Sequence, residues 1–134
     1  LSRRRAIGLG LYGLLGIAKG DAARMRAQMR RNYEFFGAPV GLIFSIDRRM
    51  GRGGWLDYGT FLQNVMLAAG ARGLDTCPQV AWLPYHRIIG GQLGFADQEQ
   101  LVCGMCLGHA DPDAVENTLA TTRAALEEFV VFHD

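Results

Sequence analysis

Residues 54–82, GWLDYGTFLQNVMLAAGARGLDTCPQVAW, decide how this chain is organised. From Trp55 to Gly73 the spacing reads as one long helix. Leu56, Gly59, Leu62, Gln63, Met66 and Ala69 line one side of it, with Trp55, Tyr58 and Phe61 flanking. Recurrence at three and four residues is the mark of a helical face. So many large apolar groups predict burial on more than one side, as in a core helix or a subunit interface. Gly73 stands where a helix stop favours glycine, just past the last turn. After it, LDTCPQ (74–79) reads as a short extended piece broken by Pro78.

Upstream, Asp21 is a predicted N-cap for a helix running to about Arg31. FFGAPVGLIFSID (35–47) reads as a turn and a buried strand, Val40 to Ile46. RRMGRGG (48–54) is a loop. It lacks the Lys-Ser/Thr of a phosphate loop and serves as a connection. Downstream, PYHRIIGGQLG (84–94) fits a short helix and QLVCGMCLGHA (100–110) a second buried strand. Residues 111–134 read as an extended polar tail with a short apolar end, of the kind that lies on something else. At 134 residues the chain is expected to be one domain, 1–134, with a mean hydropathy of a globular protein.

The opening stretch, RRRAIGLGLYGLLGIAKGD (3–21), carries Gly8, Gly10 and Gly13 in the spacing of a dinucleotide-binding turn. No buried strand precedes it. Glu34, the acidic residue at about the right distance, precedes a strand instead of ending one. The same stretch resembles a secretion signal, but no small-residue cleavage site follows. Its apolar run is too short to span a bilayer. Ile7, Leu11, Leu14, Leu15 and Ala18 fall on one helical face, so a packed helix is the preferred reading.

Net charge is only +1, but it is unevenly spread. Residues 1–52 hold eleven Lys/Arg and three Asp/Glu; residues 53–134 hold three and ten. Arg24, Arg26, Arg30 and Arg31 surround Met25 and Met29 on one predicted helix, a solvated basic face that faces the acidic half more readily than nucleic acid. Cys77, Cys103 and Cys106 are an odd count, which fits reduced thiols in the cytoplasm. Cys103 and Cys106 form a CxxC, but three residues apart on a strand point to opposite faces, so they do not share a ligand. His86, His109 and His133 are scattered, and no metal site is expected. The serines, Ser2 and Ser45, lie outside any nucleophile elbow, and no carboxylate pair stands out. An enzyme of this composition leaves its chemistry to a cofactor.

NYEFFGAPVGLIFSID (32–47), residues 54–82, LVCGMCLGHADPDAVENTL (101–119) and TTRAALEEFVVFHD (121–134) together resemble, in order and spacing, the FMN-dependent nitroreductase family. The opening helix resembles the family segment just upstream. The resemblance implies an α+β fold with a central, mostly antiparallel sheet flanked by helices, in an intertwined homodimer with FMN at the subunit interface. The Arg/Ser-rich family segment that grips the FMN phosphate and ring has no counterpart here, so the chain is read as the C-terminal portion of the domain. By resemblance, Pro78, Gln79, Val80 and Ala81 lie along the flavin, with a backbone N–H of Val80 on the ring nitrogen N5. Arg123 matches a family arginine on the phosphate, and a forked guanidinium suits that task. Thr121 stands where some members carry a second basic residue. Trp55, Tyr58, Phe61 and Leu62 match the family's dimer helix. The implied activity is ping-pong hydride transfer from NAD(P)H through FMN to a nitroaromatic, quinone or similar small-molecule acceptor, with no nucleic-acid or membrane partner. The alternative is a truncated, non-catalytic relative, a pseudo-enzyme or assembly partner with an incomplete flavin site.

Overall fold

The structure, a computed structural model, describes residues 2–133. They form two compact units, one spanning Ala22–Ala110 and one built from the two ends of the chain.

The larger unit is organised around a three-stranded antiparallel sheet. Strand β3, Glu99–Gly108, lies between β1, Val40–Asp47, and β2, Asp75–Gln79. β3 is the most buried element because it is paired on both edges, and Met105 at its middle is fully buried. Residues directly opposite share a face in an antiparallel pair. Gly104 therefore shares one face with Ile43 and Gln79, and Met105 shares the other with Leu42 and Pro78. The register slips between Phe44 and Ser45, where Val102 is the extra residue of a bulge. Pro78 sits in β2, an edge strand, where a missing N–H is tolerated. Cys103 and Cys106 do fall on opposite faces. Cys106 instead stands across from Cys77, whose carbonyl its thiol approaches at 3.7 Å.

The long helix is α3, Arg52–Gly70, after the helix α2, Ala22–Arg30, which begins one residue beyond Asp21. α3 begins at Arg52, three residues before the predicted Trp55 and inside the expected 48–54 loop, and its regular turns end at Gly70, with Gly73 as the predicted glycine stop of the closing turn. The Leu74 N–H reaches back to the Ala69 carbonyl at 3.0 Å, and Gly73 N–H to the Gly70 carbonyl at 3.0 Å. Gly73 takes the left-handed conformation, φ 71°, that this closing turn requires. The inward face differs from the predicted stripe. Tyr58, Leu62, Val65, Met66 and Ala69 turn inward, while Leu56, Gly59 and Gln63 are exposed. The phase is set by the sheet. The Tyr58 hydroxyl donates to the Ser45 carbonyl at 2.7 Å, and Phe61 meets Phe44 edge-on at 6.2 Å. A helix with apolar groups on every side does not reveal its inner face by periodicity alone.

Residues 31–37 form a 3₁₀ segment ending in an unusual turn. Phe35 (φ 48°), Phe36 (φ 55°) and Gly37 (φ 81°) are consecutive left-handed residues. A second 3₁₀ segment, Val80–Tyr85, leads into α4, His86–Leu93, so the expected helix starts two residues later than Pro84.

In the other unit, α1, Ser2–Leu14, rests against the 3₁₀ turn Val115–Thr118, and Arg3 pairs with Glu128. Ala18 lies beyond the helix, and Ile7 and Leu14 are more exposed than a packed face requires. Gly10 has a packing reason. A Cβ there would lie 3.3 Å from Leu119 Cδ1, so the glycine admits a close neighbour and belongs to no nucleotide loop. The remaining tail is irregular apart from a short turn at Leu126–Glu128. Among the described residues no helix is long and apolar enough to cross a membrane.

Candidate functional site

Pro78, Gln79, Val80 and Ala81 occupy the junction where β2 passes into the 3₁₀ segment Val80–Tyr85. The backbone turns there because Gln79 is still extended (φ −131°, ψ 106°) while the next residues coil. Alternation along β2 points Gln79 to the inner face, where it is only 3% exposed, and Val80 is left outside at 65%.

The junction rests on a floor of aromatic and small residues. Gln79 Nε2 donates to the Asn32 carbonyl at 2.9 Å. Two residues on, the Ala81 carbonyl accepts from the Tyr33 hydroxyl at 3.2 Å. The Tyr33 ring is held edge-on by Trp82 (5.3 Å) and Tyr85 (5.2 Å), and Phe35 stacks on Trp82 at 4.9 Å. Trp82 lies over Gly104, where a Cβ would stand 2.5 Å from its Cδ1 and Nε1. Gly41 is equally closed to a side chain, by the ring of Phe35. Burial and the neighbouring Tyr85 raise the Tyr33 pKa above its ordinary 10.0, so the hydroxyl remains a donor at neutral pH.

This arrangement leaves one open main-chain edge. In a 3₁₀ turn each N–H bonds three residues back, so that of Trp82 reaches the Gln79 carbonyl while those of Val80 and Ala81 find no partner within their own segment. The Gln79 side chain makes no capping bond to them. No Asp or Glu occurs from Thr76 to Gln92, so an electron-rich ligand meets no like charge on this stretch. Beneath the edge, Gln79 Oε1 and Trp82 Nε1 are buried without a hydrogen-bond partner, both next to Gly104. An exposed, uncharged main-chain edge at Val80 on a rigid floor suits the polar rim of a planar ring and not a phosphate. The chain's own residues therefore fit the flavin edge that the resemblance implies.

Arg123 belongs to the terminal unit. It is exposed, and its Nη1 donates to Thr121 Oγ1 at 2.6 Å. A guanidinium has five donors, so others remain for an anion. Of the four helix residues expected at an interface, Tyr58 and Leu62 turn toward the sheet, while Trp55 and Phe61 are exposed. Asn32, Tyr33, Trp82 and Gly104 were not singled out by sequence reasoning. Their signal is the aromatic pair of stretches NYEFF (32–36) and AWLPY (81–85), which no spacing rule connects.

Residues 12–109 match the Nitroreductase family. The chain is 46% identical over 118 residues to a nitrobenzene nitroreductase of Ectopseudomonas oleovorans, covering 88% of this chain and 52% of that protein. It is 46% identical over 121 residues to a 4-nitrobenzoate reductase of Pseudomonas putida, covering 90% and 53%. The chain thus spans about half the length of the curated relatives it matches. Among solved structures it is similar to the FMN and NADPH-dependent nitroreductase NfnB from Sphigopyxis sp. strain HMH, with a TM-score of 0.95 at 41% identity over 99% of this chain and 60% of that one. It is also similar to the FMN-dependent nitroreductase NfnB from Mycobacterium smegmatis, solved with NADPH, with a TM-score of 0.92 at 29% identity over the same shares. With its sheet in that frame, the chain belongs to the nitroreductase family.

Proposed function

We propose that this chain supplies, from its sheet unit, the N5-facing edge for a flavin and, from its terminal unit, a ligand for a flavin phosphate, in an NAD(P)H-dependent nitroreductase. The observation that carries the reading is the open main-chain edge at Val80 on its clamped aromatic floor, in a chain of this family. FMN, bound there, would supply the redox chemistry, taking hydride from NAD(P)H and passing it to a nitro group. The protein's share is positioning. The Val80 N–H would donate to N5 and so position the ring for a nicotinamide or an acceptor to stack on it. Arg123 holds the phosphate end through charge-assisted bonds. Donor and acceptor would then use this site in turn, the ping-pong order. The names of the relatives support nitroaromatic acceptors, with quinones as a wider class. By family resemblance, the exposed apolar residues of α3 meet a second copy of the chain.

The reading is tested by mixing the purified chain with FMN, desalting, and adding NADPH without oxygen. Retained yellow colour that bleaches, and returns with nitrobenzene or 4-nitrobenzoate, is the expected result. A colourless chain after desalting rejects a flavin site formed by these residues and favours the non-catalytic alternative.

A further inference from the structure

The two hydrogen bonds under the flavin edge have a geometry that the proposed function does not use. Asn32 and Tyr33 are neighbours in the 31–37 segment. Their partners, Gln79 and Ala81, are the residues on either side of Val80. Two consecutive residues of one segment therefore pin the two flanks of a single exposed residue of another. Each bond is held from behind. Gln79 is almost wholly buried, so its amide has little freedom to seek water. The Tyr33 ring sits between Trp82 and Tyr85, both edge-on at 84°, which fixes where its hydroxyl points. Trp82 in turn lies against Phe35 and over Gly104, where only a hydrogen fits.

We propose that Tyr33 is a positioning residue for hydride transfer. Its hydroxyl holds the Ala81 carbonyl, and the Gln79 side chain, bonded to the Asn32 carbonyl, anchors the residue before Val80, so the main chain is fixed one residue to either side and the Val80 N–H is aimed at the flavin. Tyr33 itself does not touch the reacting atoms. The inference rests on the flavin reading above, and it adds the source of the edge's orientation. A hydrogen bond aimed at one ring atom tolerates little tilt. Loss of one of the two pins frees the main chain on that side of Val80 while the floor beneath it stays packed. Tyr33→Phe is the clean probe, since it removes one oxygen and keeps the ring between Trp82 and Tyr85.

The experiment compares wild type, Tyr33→Phe and Gln79→Leu, each loaded with FMN. Three quantities are read: FMN affinity, the visible absorption band of the bound flavin, and the single-turnover rate of bleaching by NADPH. Hydrogen–deuterium exchange is followed over residues 76–85 in the same samples. Tyr33→Phe should bind FMN within about threefold of wild type, because the phosphate grip lies elsewhere. It should displace the flavin band, bleach about tenfold more slowly, and exchange faster at 79–82 with the sheet strands otherwise unchanged. Gln79→Leu should move the same readouts in the same direction. An unchanged band and bleaching rate in Tyr33→Phe, with wild type yellow, overturns the positioning role alone. Faster exchange throughout the sheet also overturns it, since it marks a general structural role. A wild type that holds no FMN defeats the flavin reading itself, and this inference with it.

Discussion

Gly104 shows how one missing side chain sets the site. In the centre of β3 a β-branched residue would favour the strand, and glycine weakens it. The structure gives the reason for glycine: Trp82 occupies the place of the side chain, 2.5 Å from any Cβ. Gly104→Ala must displace an indole stacked on Phe35 and edge-on to Tyr33. The expected loss is about 1–3 kcal/mol, the usual cost of overpacking. It is read from the urea midpoint, together with a shifted tryptophan emission. An unchanged midpoint would mean that Trp82 has room to move, and the floor is then not rigid. Arg123 is the contrasting case. It is exposed and bonded only locally, to Thr121, among its described contacts. Arg123→Ala should leave the melting temperature unchanged and weaken FMN retention about tenfold or more, since a charge-assisted bond is worth about 1.5–3 kcal/mol. Equal FMN affinity in the variant would remove Arg123 from the phosphate.

At the scale of elements, β1, β3 and α3 were legible because each obeys one rule locally. Apolar runs gave the strands, and Gly73 gave the helix stop. The inner face of α3 was not legible, because Trp55, Leu56, Tyr58, Phe61 and Leu62 surround it and only the Ser45 carbonyl selects Tyr58. The left-handed Phe35 and Phe36 were also hidden. A bulky residue at positive φ costs on the order of 1–3 kcal/mol, so no propensity rule proposes it. Ring contacts worth about 0.5–1.5 kcal/mol each offset that cost, and they join residues nearly fifty positions apart. For the same reason the main-chain segment 78–81 came from family resemblance, while the Tyr33 clamp came only from the folded chain. The turn before β3 carries a prediction of its own. The Glu99 carboxylate accepts from the Ala96 N–H at 2.9 Å and from Ser45 Oγ at 2.7 Å, tying that turn to β1. These bonds hold its pKa below the ordinary 4.5, against the opposing charge of Asp47. A carboxyl lowered on folding stabilises above its unfolded pKa and loses that contribution as pH falls through the folded one. Glu99→Gln should therefore be less stable than wild type at neutral pH. The gap should narrow as pH falls below 4.5 and close in stronger acid. A gap that is the same at every pH would show that the charge of Glu99 contributes nothing.

For the whole molecule the decisive feature is apolar surface left open. Leu56 and Leu67 stand on the outer side of α3, 72% and 60% exposed, while Trp55 and Phe61 are exposed on its flanks. Scattered apolar residues on a surface need no explanation, but Leu56 and Leu67, eleven positions apart, fall on one outward stripe of the helix. The inner side of the same helix already serves the sheet through Tyr58, Leu62 and Met66. The outer patch is therefore surplus to the packing of this unit, which is what a helix shared between two copies requires. Burying it on association removes apolar area from water at about 25 cal/mol per Å². The chain on its own should self-associate, giving by light scattering a mass at least twice its 14.7 kDa. Leu56→Glu combined with Leu67→Glu should return it towards 14.7 kDa while leaving the sheet's circular dichroism unchanged, because neither side chain faces the sheet. A wild-type chain that stays monomeric as its concentration rises would remove α3 from any subunit interface. A double variant that still associates would move that interface to another surface.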